Sequence, residues 1–306
     1  MVMGLAISGC DRTDHSTAGK TSHDSPSEQK PGATTQAATT PAAKASPSTS
    51  TLTADPTTTP SQSRITIADV SASSVTTKES VAECTQPQCS SATLKQLVFD
   101  APFDWLNPLI TQQLLGLSNP ISENGKPTTK NLPAALKQFV KEGQASEAGG
   151  SMPYDMTLEA RLIGVDARVI VIQVSGYYYT GGAHGSAVEN YLVIDRTSHR
   201  SLALSDVMLP AKKPDQLYPL FYAQFRQWVA KEIPQQSLPE YEKTWPFKLS
   251  KNWFPTDKGI ALAYGQYEVG PYVVGMPQFE VPFAQLNGLI RPEFLQPLQG
   301  EAIKTQ

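Results

Sequence analysis

Residues 156–179 read MTLEARLIGVDARVIVIQVSGYYY, and their pattern sets the expected fold class. From residue 156 to residue 163 apolar side chains alternate with polar ones, and valine and isoleucine crowd the stretch from 168 to 179. A period of two predicts a strand with one buried face, and a high density of β-branched side chains favours strand over helix. We therefore predict two strands, 156–163 and 168–179, joined by a turn near Asp166.

The patterns on either side of this stretch predict the remaining elements. Further strands are expected at 94–99, 188–194, 202–204, 253–254 paired with 259–264, and 278–281. Helices are expected at 133–145, 215–233 and 283–290, and around Leu109, Ile110, Leu114 and Leu115, where Asp104 or Asn107 would cap the helix. These elements predict an α+β fold, with an antiparallel sheet in the form of a β-meander and helices packed on one of its faces.

The composition excludes two classes of function and divides the chain. The 306 residues carry 25 basic and 28 acidic side chains, so the excess of positive charge that nucleic acid requires is missing. No apolar run reaches the roughly 18 residues of a membrane-spanning helix. Residues 11–63 are rich in Ser, Thr, Ala and Pro and hold too little apolar surface to fold. We predict a lipoprotein signal segment at 1–10, a disordered tether at 11–63 and a folded domain at 64–306.

The three cysteines have two predicted roles. Cys10 follows the sequence LAISG, and small residues after an apolar run are typical of a bacterial lipobox, in which the chain is cut before a lipidated cysteine. The nine residues before Cys10 contain no Lys or Arg, although a signal peptide normally begins with positive charge, so a chance match stays open. Cys84 and Cys89 have the spacing of a local disulfide in an oxidising compartment.

Two short motifs combine glycine with aromatic rings. The first is YYYTGGAHG at residues 177–185, and the second is YEVGPYVVG at residues 267–275. Glycine adopts positive φ and lets another backbone approach closely, and aromatic side chains offer large contact surfaces with polar edges. Loops of this kind shape recognition surfaces. We predict a ligand-binding site built from Tyr179, Gly181, Gly182, His184, Tyr267, Glu268 and Tyr272.

From residue 177 onward the chain resembles the extracellular domain of the RsiV family, a domain of otherwise unknown function that also accompanies some polysaccharide deacetylases. The residues that carry the resemblance are Tyr179, Thr180, Gly181, Gly182, Ala183, His184, Gly185, Asp195, Leu202, Leu204, Asp206, Phe254, Gly259, Tyr267, Glu268, Pro271, Tyr272, Gly275, Val281, Pro282 and Phe283. The resemblance extends over 94–290, most strongly in the second half. It implies a recognition domain, because the best-known family member is a membrane anti-sigma factor whose outer domain binds lysozyme and so senses cell-wall attack.

The chain also departs from the layout of that family. We expect no anti-sigma activity, because neither a spanning helix nor a cytosolic sigma-binding segment is recognised ahead of the domain, and no deacetylase domain follows it. The expected protein is a lipid-anchored component of the bacterial envelope that faces the periplasm or the exterior. Its domain would bind a lysozyme-type hydrolase or a cell-wall glycan. An enzyme acting on the wall, hydrolase or deacetylase-like, and a structural lipoprotein are the alternatives.

An enzyme would have to use His184 with Glu268 and with Ser186 or a tyrosine. A nucleophile needs a base within hydrogen-bond reach, and neither the G-x-S-x-G nor the H-E-x-x-H motif occurs. The predicted domain holds only His184 and His199, which are too few for a zinc site once its two cysteines are paired. We therefore expect no catalysis, no metal and no cofactor, and we expect His184 to bond the backbone.

Two interpretations of Glu268 stay open. The carboxylate would either bind a sugar hydroxyl or a basic partner, or accept backbone N–H bonds and stiffen its own loop, and we favour the second. Along the predicted strand, Tyr178 faces one side and Tyr177 and Tyr179 face the other. The buried side of this strand is expected to pack in the core, and the exposed side to stack on a glycan or a protein.

Overall fold

The structure, a computed structural model, describes residues 62–82, 84, 88–118 and 129–300. The predicted signal segment with Cys10, and the predicted tether as far as residue 61, lie outside the described residues. The first described strand begins at Gln62.

The described residues form ten strands in two sheets. The larger sheet has the order β1 (Gln62–Ile67), β2 (Val70–Ser80), β3 (Ser91–Phe99), β4 (Asp155–Val165), β5 (Val169–Tyr179) and β6 (Ser186–Asp195), with β10 (Gln299–Gly300) paired to β4. The smaller sheet has the order β7 (Trp253–Pro255), β8 (Gly259–Ala263) and β9 (Gln278–Pro282). The predicted hairpin is confirmed as β4 and β5, which pair antiparallel along almost their full lengths.

Five α-helices accompany the sheets in the described part of the chain. They are α1 (Leu106–Leu117), α2 (Leu132–Ala148), α3 (Tyr218–Glu232), α4 (Leu238–Thr244) and α5 (Phe283–Leu286). Short 3-10 helices cover Leu204–Val207, Pro214–Leu217, Tyr272–Val274 and Pro292–Phe294. The predicted strand at 202–204 is wrong, because Leu202 makes a single backbone bond to Val193 and the chain then enters the first 3-10 helix. The α+β class is confirmed.

One pair of strands departs from the predicted meander. Strands β3 and β4 run parallel, from Ser91 opposite Asp155 to Lys95 opposite Glu159. A parallel pair needs a long crossover between its strands, and here the segment between β3 and β4 contains α1 and α2. The other strand pairs of both sheets are antiparallel.

The larger sheet has an apolar core on each face, with α1 and α2 on one face and the smaller sheet, which α3 contacts through β9, on the other. On β5, Ile170 and Ile172 belong to a core that includes the apolar side chains of α1 and α2. The alternate residues Val169 and Val171 belong to a second core with α3 and the smaller sheet. Successive side chains of a strand point to opposite faces, and β5 is buried on both sides over this stretch.

The second core is rich in aromatic side chains. Phe221, Phe225 and Val229 form the buried stripe of α3, as the helical spacing predicts. Phe225 packs edge-on against Phe279 of β9, with ring centroids 5.9 Å apart. Trp253 and Phe254 are buried in the same core, as expected. This core fixes the smaller sheet against the larger one.

The predicted cap of α1 is also wrong, and Asn107 has a different role. The helix begins after Trp105, which makes no side-chain cap, and Asp104 provides none. The Asn107 amide instead accepts a bond from the N–H of Phe99 (2.8 Å) and donates one to its carbonyl (3.0 Å). It thus satisfies both backbone groups at the end of β3.

The predicted disulfide is present. Cys84 and Cys89 are bonded, with Cα atoms 5.9 Å apart, and they lie in the connection between β2 and β3. The bridge therefore closes this hairpin at its turn.

No helix in the described ranges combines the length and the apolar character that crossing a bilayer requires.

Candidate functional site

The first glycine motif forms the turn between β5 and β6. Gly181 and Gly182 have φ of 86° and 109°, a region that L side chains rarely adopt, so the turn needs glycine there. The Tyr179 hydroxyl donates to the carbonyl of Gly182 at 3.1 Å and braces the turn. Tyr178 points into the core beside α1, where burial raises the pKa of its hydroxyl. Tyr177 lies on the opposite face and is 41% exposed. The predicted alternation of the three tyrosines is confirmed.

The second glycine motif forms the loop between β8 and β9. Tyr267 has φ of 64°, which is uncommon outside glycine, and its side chain is 51% exposed. The carboxylate of Glu268 accepts a bond from the N–H of Gly265 at 2.9 Å, which is the contact that the structural interpretation predicts, and a binding role for this residue stays a prediction. The buried hydroxyl of Tyr241 donates to the carbonyl of Val269 at 2.9 Å and ties the loop to α4. The loop is therefore held in place by its own side chains and by the core beneath it.

The two loops meet through their rings. The imidazole of His184 stacks on Tyr272 with centroids 3.9 Å apart. Tyr272 lies 6.1 Å from Tyr267, and Tyr267 lies 6.5 Å from Trp245. We call these four rings, His184, Tyr272, Tyr267 and Trp245, the ring row. The two loops, whose residues His184 and Tyr267 lie 83 positions apart in the sequence, and Trp245 thus contribute to one row of rings.

Hydrogen bonds fix His184 within the ring row. Nδ1 bonds the carbonyl of Gly185 at 2.9 Å, as expected, and it must be protonated to do so. In the neutral ring Nε2 is then an acceptor, and it lies 3.4 Å from the Tyr267 hydroxyl. Tyr272, His184 and Tyr267 therefore contact one another in a triangle.

Two residues of this surface were not predicted from the sequence. Trp245 ends α4 and extends the ring row. Gln266 accepts a bond from the N–H of Ala187 at 3.0 Å, which links the second loop directly to β6. A lone tryptophan and a lone glutamine have no sequence signal of their own, and only the fold brings them beside the motifs.

The residues named for catalysis are brought together only in part, because His184 lies 3.4 Å from the hydroxyl of a tyrosine, Tyr267, but bonds neither Ser186 nor Glu268. His184 and Ser186 border the same cavity of about 410 Å³, which Leu117, Tyr178 and Val188 also line, but no hydrogen bond joins their side chains. Within the described residues no carboxylate contacts the imidazole, and Glu268 bonds Gly265 instead. The described part of the chain also holds no cluster of three His, Cys, Asp or Glu side chains suited to a metal ion.

Residues 205–284 match the family model described as a protein of unknown function, DUF3298. The DUF3298 match includes the second glycine motif and ends after β9. The first motif lies before it. The RsiV-like resemblance is compatible with this match and stays a prediction.

Two solved structures share the fold. A DUF3298 family protein from Pseudomonas aeruginosa has a TM-score of 0.60 and 24% sequence identity, over 75% of this chain and 98% of that one. A member of the same family from Bacteroides fragilis has a TM-score of 0.56 and 18% identity, over 73% and 94% of the two chains. No curated protein matches the chain. At these identities the likeness concerns the fold alone.

Proposed function

We propose that this chain is a lipid-anchored protein of the bacterial envelope whose domain binds a ligand and catalyses no reaction. The ring row carries the proposal. It brings together four rings from three segments on the outside of the domain, around the 51% exposed Tyr267. On a soluble protein, contiguous exposed apolar surface commonly marks a binding site.

The first candidate ligand is a cell-wall glycan. A tyrosine or tryptophan ring offers an apolar face and a polar edge, which complement the C–H face and the hydroxyls of a sugar. The Tyr267 hydroxyl lies 3.4 Å from Nε2 of His184, and its oxygen can also accept a bond from a sugar hydroxyl. The glycine turns keep bulky side chains away from this surface.

The second candidate ligand is a lysozyme-type hydrolase, and one residue favours it. Val273 is the middle residue of the turn Tyr272–Val274 and is 86% exposed, an apolar tip beside the ring row. Protein interfaces are enriched in tyrosine and tryptophan, and an exposed apolar side chain beside such rings extends the surface that a protein partner can cover. Lysozyme binding is also what the RsiV resemblance implies.

The absence of turnover rests on the surroundings of His184. A general base needs an orienting partner and a nucleophile within reach. Nδ1 of His184 bonds the backbone carbonyl of Gly185, and its Nε2 lies 3.4 Å from the phenol hydroxyl of Tyr267. Among the described residues no carboxylate contacts the imidazole, and its ring stacks on Tyr272, which supports a structural and binding role.

One set of assays separates these possibilities. The full chain is sedimented with insoluble peptidoglycan, and it is separately tested for retention on immobilised lysozyme and for protection of cells from lysis. Retention by peptidoglycan supports the glycan, and retention on lysozyme with protection supports the hydrolase. Binding to neither contradicts the proposed function. Release of soluble fragments that disappears in His184→Ala would establish an enzyme instead.

The lipid anchor has its own test. If Cys10 carries lipid, cells incorporate radiolabelled palmitate into the protein and the label disappears in Cys10→Ser. Label retained in that variant, or absent from the unaltered chain, contradicts the anchor and leaves the binding function unaffected.

A further inference from the structure

An open groove of about 760 Å³ runs along the outer edge of β6, beside the ring row. Its lining includes Gln113 of α1, Asn190 of β6, the segment with Lys248, Lys251 and Asn252, and Glu268. Glu268 directly follows Tyr267, so the groove and the ring row adjoin each other through this pair of neighbours. We call this cavity the lysine groove.

Inside the lysine groove, two backbone groups of β6 already have hydrogen-bond partners. The side-chain amide of Asn252 accepts a bond from the N–H of Tyr191 and donates one to the carbonyl of Glu189, both at 2.8 Å. This amide takes the place that a peptide group of a neighbouring strand would occupy. A ligand in the groove is therefore recognised by side chains rather than by strand addition.

The charges of the lysine groove favour an anion. Lys248 and Lys251 are exposed and form no ion pair with any described residue. The amides of Asn190 and Gln113 likewise have no hydrogen-bond partner in the described part of the chain. The one carboxylate of the lining, Glu268, is engaged with Gly265. Two ammonium groups therefore face one carboxylate in this lining, and its net charge is positive.

The segment that carries the two lysines is held in position. The Tyr264 hydroxyl donates to the carbonyl of Lys248 at 2.8 Å, and the N–H of Asn252 donates to Ser250 Oγ at 3.0 Å. With the Asn252 amide fixed on β6, both ends of the segment are anchored. The ammonium groups are therefore presented on a stable backbone, which reduces the entropy that binding would cost.

We propose that the lysine groove binds carboxylate groups of the glycan that the ring row holds, so that the ligand is an acidic wall polymer rather than a neutral one. The inference rests on the proposed glycan-binding function. The rings supply contact with sugar faces, and Lys248 and Lys251 pair with the free carboxylates of stem peptides on the same strand. Binding then weakens as salt is added, because exposed charges are screened.

The test measures sedimentation of the full chain with three insoluble polymers at low salt. They are peptidoglycan, peptidoglycan whose carboxylates have been amidated, and chitin, a neutral polymer of N-acetylglucosamine. The double variant Lys248→Gln, Lys251→Gln is compared with Lys137→Gln, Lys141→Gln, which removes two exposed lysines from α2. The control leaves the charge of the groove unchanged.

The expected result is loss of affinity for unmodified peptidoglycan by about three- to thirtyfold in the groove variant and no change in the control. Amidation should lower the affinity of the unaltered chain to the same level. Equal binding of all three polymers, unchanged in the groove variant, overturns the acidic ligand and leaves the ring row as a glycan site. No binding of any polymer overturns both this inference and the glycan function.

Discussion

The imidazole of His184 stacks on the ring of Tyr272, with centroids 3.9 Å apart and planes inclined by 22°. This contact joins the β5–β6 turn to the β8–β9 loop, and these two loops are far apart in the sequence. Each loop therefore supports the conformation of the other. His184 belongs to the first glycine motif and Tyr272 to the second, so the ring row forms only when both loops keep their conformations.

A double-mutant cycle should detect this dependence. His184→Ala and Tyr272→Ala are each expected to lower the free energy of unfolding, with a coupling of about 0.5–1.5 kcal/mol between them, because a stacked pair contributes beyond its buried area. Urea unfolding of the four proteins measures it. His184→Ala combined with Tyr218→Ala serves as the control pair, since these two residues are not in contact, and should be additive. Additivity of the His184 and Tyr272 changes would show that the stack contributes nothing.

Asn252→Ala should destabilise the domain by about 1–3 kcal/mol, because it leaves the N–H of Tyr191 and the carbonyl of Glu189 without their shared partner. The matched control is Asn190→Ala on the adjoining strand, whose amide has no partner in the described structure, and it should change stability by less than about 0.5 kcal/mol. Chemical denaturation of both variants gives the comparison. Equal losses of stability in the two variants would mean that the hydrogen bonds of the Asn252 amide to β6 do not stabilise the domain.

Replacing either of two helical glycines by alanine should change the stability of the domain, but in opposite directions. At Gly116 in α1 a Cβ meets nothing within 4 Å, so Gly116→Ala should stabilise by about 0.5–1 kcal/mol through helix propensity. At Gly143 in α2 a Cβ would lie 2.3 Å from Ser90 Oγ and 2.8 Å from the Cβ of Tyr154. Ser90 is fully buried and donates to Glu147, so it cannot move aside, and Gly143→Ala should destabilise. Thermal unfolding distinguishes them, and stabilisation of both variants would refute the close packing at Gly143.

Asp195 should make stability depend on pH in the acidic range. Burial by itself would raise the pKa of this carboxyl, but hydrogen bonds from Ser198 and Thr197 and the ion pair with Arg168 (2.7 Å) outweigh it, and the net pKa lies below its ordinary value. A lowered folded-state pKa gives stability that is complete above the unfolded pKa of about 3.9 and is lost as pH falls through the folded value.

Asp195→Asn is therefore expected to destabilise the domain by about 1–3 kcal/mol at pH 7, with the difference from the unaltered chain shrinking below about pH 4. Urea unfolding at several pH values measures this gap. A difference that grows as the pH falls would contradict the assigned direction of the pKa.

The sequence predicts the central hairpin and the long helices well, because their periodicity is set by burial. Strands β4 and β5 and helix α3 each carry an unbroken pattern over ten or more residues. The strand β2 was not predicted, since its run of Ser and Thr is half-exposed along most of its length. Helix α4 is seven residues long, which is too short to show a periodic stripe. The parallel pairing of β3 with β4 depends on where α1 and α2 pack, and no local pattern encodes it.

The candidate site was predictable in part. Glycine beside aromatic residues identified both loops, and the alternation of Tyr177, Tyr178 and Tyr179 assigned their faces. Trp245 was not predicted, because its place beside Tyr267 is set by the packing of α4 on the second core. The lysine groove was missed for a similar reason: it is lined from α1, from β6 and from the segment before β7, and no stretch of sequence contains all three.

The most direct test of the ring row as a binding surface is the affinity of the full chain for insoluble peptidoglycan when single rings are removed. Tyr267→Ala and Tyr272→Ala should each weaken sedimentation about tenfold or more, while Tyr218→Ala, which removes a 40% exposed ring from α3, should leave it within about twofold. Equal affinity in all three variants and the unaltered chain would contradict the account.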